Sequence, residues 1–284
     1  MNKFSPTQIQ TAPSLTGRLG EESASIIKVG GAVVEDPAQL AVLLDNFVKV
    51  PGIKALVHGG GRSATKIAAQ LGIESQMVGG RRITDAATLR VVTMVYGGLV
   101  NKNIVAQLQA LGINALGLTG ADLNLIRAHR RPVTPEGIDF GFVGDVDSAD
   151  GNRLLELMQA GITPVIAPLT HDGQGNMLNT NADTMAQTVA TSVAQSLPSG
   201  GGCGVSLTFC FELPGVLRDA SDPSTLIPHI TEKEFPTLVA DGVIAGGMIP
   251  KLENAFAAIH AGVAAVRITS IHDLTGGTLI TIDP

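Results

Sequence analysis

The chain has 284 residues, 44% apolar and 15% charged, with a formal net charge of −6. That supplies a substantial core for one large or two medium domains and excludes a disordered chain. The acidic balance, with one Tyr and no Trp, excludes a nucleic-acid binder that works by phosphate neutralisation or base stacking.

Residues 1–24 are polar and mixed, broken by Pro6, Pro13, Gly17 and Gly20, and read as a flexible or loosely docked extension. The first strand is expected at about residues 25–29, an apolar run that ends in Lys28, Val29, Gly30 and Gly31. A lysine at the mouth of a strand, beside glycines that bare the backbone N–H groups, suits a phosphate. Asp36-Pro37 marks a helix start, and Leu40, Leu43, Leu44 and Phe47 fall on one face of that helix. Ala55-Leu56-Val57 reads as a second buried strand. His58-Gly59-Gly60-Gly61 follows it and feeds a helix expected from near Ser63, with Ile67, Ala68 and Leu71 inward. This layout of strand, glycine turn and helix, repeated once, predicts a parallel sheet with ligands at the carboxyl ends of its strands. The second helix aims its amino-terminal amides at the same edge. Neither a Walker-type phosphate loop nor a dinucleotide fingerprint is present.

Gly79-Gly80-Arg81-Arg82 precedes Thr84 and Asp85, either of which can cap a long helix running through Tyr96 and Asn101-Lys102 to Leu111. The arginine pair could grip a substrate carboxylate bidentately. A strand at residues 115–118 and a small β region around residues 125–146 come next. Asp150-Gly151 opens a helix, and residues 163–169 read as one buried strand. Asn179, Asn181 and Asp183 share one side if that segment is extended, ahead of a helix over residues 184–196. Asp183 also suits a helix cap. Residues 198–204 are glycine-rich and read as a linker between halves. Beyond a strand at residues 205–209, Glu212, Gly215 and Leu217 lie on a turn-rich edge. A helical segment near residues 231–241 leads to Gly246, Gly247 and Lys251 at the start of an alanine-rich helix. Strands at residues 264–268 and 278–282 close the chain. Cys203 and Cys210 form neither a disulfide framework nor a metal spacing, so a reduced, cytoplasmic setting is expected and no protein metal site is read. No apolar run approaches the ~20 residues of a membrane span, and the start lacks a secretory leader.

Six pieces, in this order, resemble the amino acid kinase family over about residues 26–282. They are Lys28-Val29-Gly30-Gly31, His58-Gly59-Gly60-Gly61, Gly80-Arg81-Arg82-Ile83-Thr84, Val100-Asn101-Lys102, Asn179-Thr180-Asn181-Ala182-Asp183 and Gly247-Met248-Ile249-Pro250-Lys251. The resemblance is strongest to the branch that phosphorylates the γ-carboxylate of N-acylated glutamate, N-acetyl-L-glutamate first, in arginine biosynthesis. It implies an α/β fold with a three-layer, open, mainly parallel sheet and two lobes. Residues of about 25–197 would bind the acylglutamate, and those of about 198–284 would bind ATP, with Mg²⁺ carried by the nucleotide. It also implies roles. Lys28 and Lys251 resemble the two transition-state lysines, and Asp183 the carboxylate that orients them. Gly60, Gly61, Arg82 and Asn179 resemble substrate-binding positions. Gly30, Gly31, Glu212, Gly215, Leu217, Gly246 and Gly247 resemble nucleotide-binding positions.

The chain departs from the family pattern at Phe211-Glu212, where Thr-Asp or Ser-Asp is usual, and at Gly246, where an Asp is often found. Residues 1–24 are poor helix material and the carboxyl terminus lacks an acidic, phenylalanine-containing stretch. The resemblance therefore implies a homodimer without arginine feedback. Other readings of the same residues are a kinase for N-succinylglutamate, glutamate or carbamate, or a metabolite sensor without catalysis.

Overall fold

The computed structural model describes residues 23–197, 204–246 and 248–282. The expected extension therefore lies outside the described residues up to position 22, as do linker residues 198–203 with Cys203, and Gly247. The chain opens with β1 (Ala24–Val29), α1 (Gly31–Glu35), α2 (Pro37–Lys49), β2 (Ile53–His58) and α3 (Gly61–Gln70). A hairpin of β3 (Met77–Val78) and β4 (Arg81–Arg82) follows. Then α4 (Ala86–Val92), a π-helical stretch (Thr93–Val100) and α5 (Asn101–Ala110) run on from one another. Next come β5 (Ala115–Leu118), β6 (Ile126–Arg130), β7 (Gly144–Ala149), α6 (Gly151–Gln159), β8 (Thr163–Ile166), β9 (Leu169–His171), β10 (Met177–Asn179) and α7 (Ala182–Ser196). The last elements are β11 (Val205–Phe211), β12 (His229–Thr231), α8 (Phe235–Ala240), α9 (Met248–His260), β13 (Ala265–Ser270) and β14 (Thr278–Thr281).

The main sheet has the order β12-β14-β13-β11-β1-β2-β8-β5, and every pairing in it is parallel except β13 with β14. A sheet of this kind is covered on both faces, which explains the near-continuous apolar run of β1. Ile27 and Val29 face a core layer shared with α2, α3 and the α4–α5 helix, whereas Ala24 and Ile26 face the layer of α6, α7 and α9. Ile26 and Ile27 are at most 1% exposed, and burying each contributes roughly 1.5–3 kcal/mol. Alternation along the strand puts Lys28 on the side of α7 and α9. The expected three-layer, mainly parallel α/β fold is therefore present.

Local chemistry accounts for most element ends. Asp36 caps α2 by accepting hydrogen bonds from Ala38 N and Gln39 N, with Pro37 in the first helical position. Asp85, rather than Thr84, caps α4 through Thr88 N. Four expectations are corrected. Helix α3 starts at Gly61 rather than near Ser63 and ends before Leu71, which is 57% exposed instead of inward. The single strand expected at residues 163–169 is two, β8 and β9, because Pro168 lacks the N–H to continue a ladder. Gly79 and Gly80, at φ +55 and +76, turn the β3–β4 hairpin that the sequence reading missed. The helix expected near residues 231–241 is confined to Phe235–Ala240, because Thr231 belongs to β12. The expected small β region supplies β6 and β7, which join β9 and β10, not expected there, in a second sheet of order β10-β9-β6-β7.

Candidate active site

Parallel strands bring the ends of β1, β2 and β11 to one edge of the main sheet. Lys28, the penultimate residue of β1, is only 8% exposed there. A buried ammonium needs a partner, and Lys28 Nζ lies 2.7 Å from Asp183 Oδ1 in the first turn of α7. The α7 cap is Asn181, whose side chain accepts from Asp183 N and Thr184 N. The Asp183 carboxylate is thus not used to end the helix and is available to the lysine. Lys251, in the first turn of α9, sets its Nζ 3.8 Å from the centroid of the Phe211 ring, and Lys28 Nζ lies 5.7 Å from the same ring. Burial lowers the Lys251 pKa, Asp183 raises it and Lys28 lowers it. The three charges are close enough to act on one another.

The two glycine turns pack backbone to backbone. Gly59 N donates to Val29 O at 3.0 Å. A Cβ on Gly59 would stand 2.9 Å from Gly31 N, and one on Gly60 would stand 2.9 Å from Tyr96 Cδ1. No other residue permits that approach. Gly60 precedes α3 without a side-chain cap. Glu35 Oε1 accepts from Ser63 N at 2.5 Å, so one amide of the α3 start is already taken. Gly60 N–H has no protein acceptor among the described residues.

Two cavities meet at Gly61, which lines both. The smaller, ≈ 240 Å³, is lined by Gly60, Arg82, Tyr96, Asn179, Arg81 and Arg131, among others. Arg82 donates to Ser75 Oγ (2.7 Å), Gly61 O (2.9 Å) and Thr65 Oγ1 (2.7 Å), so its hydrogen bonds go to neutral oxygens. Arg131 is instead held by Asp145, with Nε 3.1 Å from each carboxylate oxygen. Asn179 Nδ2 donates to Thr84 Oγ1 at 3.0 Å. The larger cavity, ≈ 510 Å³, is lined by Gly30, Gly31, Phe211, Glu212, Gly215 and Lys251, with apolar Val33, Met248 and Ile268.

The candidates from sequence thus fall into three groups. Lys28, Asp183 and Lys251 converge. Gly60, Gly61, Arg82 and Asn179 line the smaller cavity, and Gly30, Gly31, Glu212 and Gly215 line the larger. Leu217 is 6% exposed, bridges to Leu226 and lines neither cavity, and Gly246 is an exposed turn residue that also lines neither. Sequence reasoning gave Tyr96 and Phe211 no role at the site. Tyr96 is the sole tyrosine, and its burial beside Arg82 raises its pKa, chiefly by desolvation. Among the described residues, no three His, Cys, Asp and Glu side chains gather as a metal cage, and no helix is long and apolar enough to cross a membrane.

His58 is fully buried, which pulls its pKa down to about 4, against the opposing hydrogen bond to Gly59 and with help from Lys102. Its folded pKa lies below the unfolded one, so its contribution to stability is intact above about pH 6.5 and is lost as pH falls through about 4. The loss reaches about 3 kcal/mol at ~1.4 kcal/mol per pH unit. Urea unfolding of wild type and His58→Leu across that range should show a steeper acid loss for wild type. Parallel curves would remove His58 from the acid response.

A cation-lined junction between a polar cavity and a larger one with apolar walls, at the carboxyl edge of a parallel sheet, is a site for moving an anionic group between two ligands. The sequence pattern of the amino acid kinase family matches residues 24–270, and the chain belongs to that family. It is 62% identical over 248 residues to the acetylglutamate kinase of Bacteroides thetaiotaomicron, covering 87% of this chain and 93% of that one. To the acetylglutamate kinase of Bacteroides fragilis it is 60% identical over 263 residues, covering 92% and 97%. The crystal structure of smu.665 from Streptococcus mutans UA159 superposes with a TM-score of 0.72 at 27% identity, over 92% of this chain and 99% of that one.

Proposed function

We propose that this enzyme transfers the γ-phosphoryl group of ATP to the side-chain carboxylate of N-acetyl-L-glutamate, giving the acyl phosphate and ADP, as a step in arginine biosynthesis. The observation that carries the proposal is the buried Lys28–Asp183 ion pair, with Lys251 beside it on the wall of the larger cavity and the Asp183 neighbours Ala182 and Thr184 on the wall of the smaller one. A carboxylate oxygen forms a bond to the γ-phosphorus while the bond from that phosphorus to the bridging oxygen breaks and ADP leaves. The acceptor is already ionised at neutral pH, so no general base is needed. The transition state spreads negative charge over the phosphoryl oxygens. Lys28, Lys251 and the Gly60 N–H, which has no acceptor among the described residues, are fixed donors for that charge, and Asp183 holds Lys28 in place beside Lys251.

Arg82 and Asn179 hold the acylglutamate in the smaller cavity. Gly30, Gly31, Glu212 and Gly215 hold ATP in the larger one, and the roles of Leu217, Gly246 and Gly247 toward the nucleotide rest on the family resemblance alone. Residues of about 25–197 and 198–284 act as the two lobes. ATP would bring Mg²⁺ with it, and the ion would supply charge neutralisation without a ligand cluster from this chain's described residues. The resemblance further supports a cytoplasmic homodimer without arginine feedback.

ADP release measured with N-acetylglutamate, N-succinylglutamate, glutamate, aspartate and carbamate tests the reading. Turnover should be greatest with N-acetylglutamate. Preference for another acceptor would move the chain to another branch, and binding without turnover would make it a sensor. Arg82→Lys should raise KM for the acylated amino acid far more than KM for ATP, since an ammonium cannot reproduce the guanidinium fork. A rise confined to ATP would place Arg82 with the nucleotide. Arg81→Lys should have the weaker effect of the two.

A further inference from the structure

Asn101, Lys102 and His58 lie in the family motifs, but the reaction itself does not use their side chains, and the fold joins them. Lys102 Nζ donates to Asn101 Oδ1 at 3.1 Å and to Gly117 O at 2.9 Å. Asn101 Nδ2 donates to Val165 O at 2.9 Å and stands 3.1 Å from His58 Nε2. The other imidazole nitrogen, Nδ1, is 2.7 Å from Gly59 O. Asn101 is 1% exposed and His58 0% exposed, so water does not arbitrate the Asn101 contacts with His58 and Val165, whereas Lys102 sits at the exposed end.

The order of donors is fixed from one end. An ammonium can only donate and a backbone carbonyl can only accept, so Asn101 turns its oxygen to Lys102 and its amide nitrogen to Val165. That nitrogen then donates to His58 Nε2, which must be the bare nitrogen of a neutral ring. The hydrogen is left on Nδ1 and goes to Gly59 O. Across a trans peptide the C=O and the following N–H point in opposite directions. Drawing Gly59 O inward to His58 therefore turns Gly60 N–H outward, and Gly60 lines the smaller cavity beside Gly61.

We infer that Lys102, Asn101 and His58 form a positioning network that holds the Gly59–Gly60 peptide with its N–H aimed at the reacting oxygens. This rests on the proposed phosphoryl transfer. A peptide in a glycine-only turn has little else to fix its plane, and rotating it would present a carbonyl to the incoming anions. None of the three side chains touches substrate. Their effect is carried by one backbone N–H.

The test joins a spectroscopic readout to kinetics. Histidine-selective ¹⁵N NMR of the wild-type chain, with the His58 resonances assigned by their loss in His58→Leu, should report the Nδ1–H tautomer. His58→Leu removes the donor to Gly59 and should lower kcat by about 10²-fold, the scale of one lost oxyanion-type donor, with KM for both substrates within about threefold. In His58→Asn the amide nitrogen takes the place of Nδ1, and this variant should recover kcat to within about tenfold of wild type. An Nε2–H tautomer, a His58→Leu enzyme of near-normal kcat, or a loss that His58→Asn does not relieve would overturn the network. If neither variant folds, the wild-type tautomer decides, assigned then by the contact of the ring with Asn101. If the wild-type chain turns over no acylglutamate, the proposed function falls while the tautomer still tests the network.

Discussion

Lys251→Ala is expected to lower kcat by about 10²-fold or more, a loss of roughly 3 kcal/mol of transition-state stabilisation, with smaller changes in both KM values. Lys28→Ala should do the same. The reason is placement. Lys28 is buried and Lys251 is half-buried on the wall of the larger cavity, and a fixed charge so withdrawn from water acts strongly on developing anionic oxygens. The two variants should differ in stability. Lys251 rests on the Phe211 ring and is partly desolvated, so removing it relieves a buried charge. Lys28 is ion-paired, and its removal leaves Asp183 facing the site with no cation at 2.7 Å. The thermal midpoint should therefore fall more for Lys28→Ala than for Lys251→Ala. Near-normal kcat in both variants would end the assignment.

Asp183→Asn should be nearly as damaging to kcat, by about 10²-fold, since Lys28 and Lys251 then repel one another with no anion nearby. The structure sharpens this expectation. Asn181 caps α7, so substituting Asp183 leaves the cap intact. Asn181→Ala should instead cost about 1 kcal/mol of stability, the usual effect of a lost cap. A fall in kcat for Asp183→Asn with a preserved fold, beside a lowered thermal midpoint for Asn181→Ala, separates the two roles. An active Asp183→Asn enzyme would remove the carboxylate from the mechanism.

Much of this site can be read from local sequence because its parts are ends of elements. A lysine closing an apolar strand, two glycine turns and a polar segment before a helix each announce a strand end or a helix start. What local pattern could not assign was which of Asn181 and Asp183 would cap, because both side chains can accept backbone N–H bonds and the choice follows from where Lys28 lies. Phe211 was visible as a departure from Thr or Ser. Its contact with both lysines became evident only because β11 runs to Phe211 and places that ring on their face of the sheet. The β3–β4 hairpin was missed because its strands are two residues each, too short for a period to show. The link between Asn101 and His58 spans 43 positions and is set by the packing of the long helix against the sheet, which no local pattern encodes.

The most direct test of the phosphoryl-transfer account is chemical. The enzyme is incubated with Mg²⁺, ATP and N-acetylglutamate in the presence of hydroxylamine, which converts an acyl phosphate into a hydroxamate and phosphate. The account predicts N-acetylglutamate γ-hydroxamate formed in step with ADP, and neither product in appreciable amount from Lys251→Ala. ADP and free phosphate without hydroxamate would show transfer to water and would contradict it.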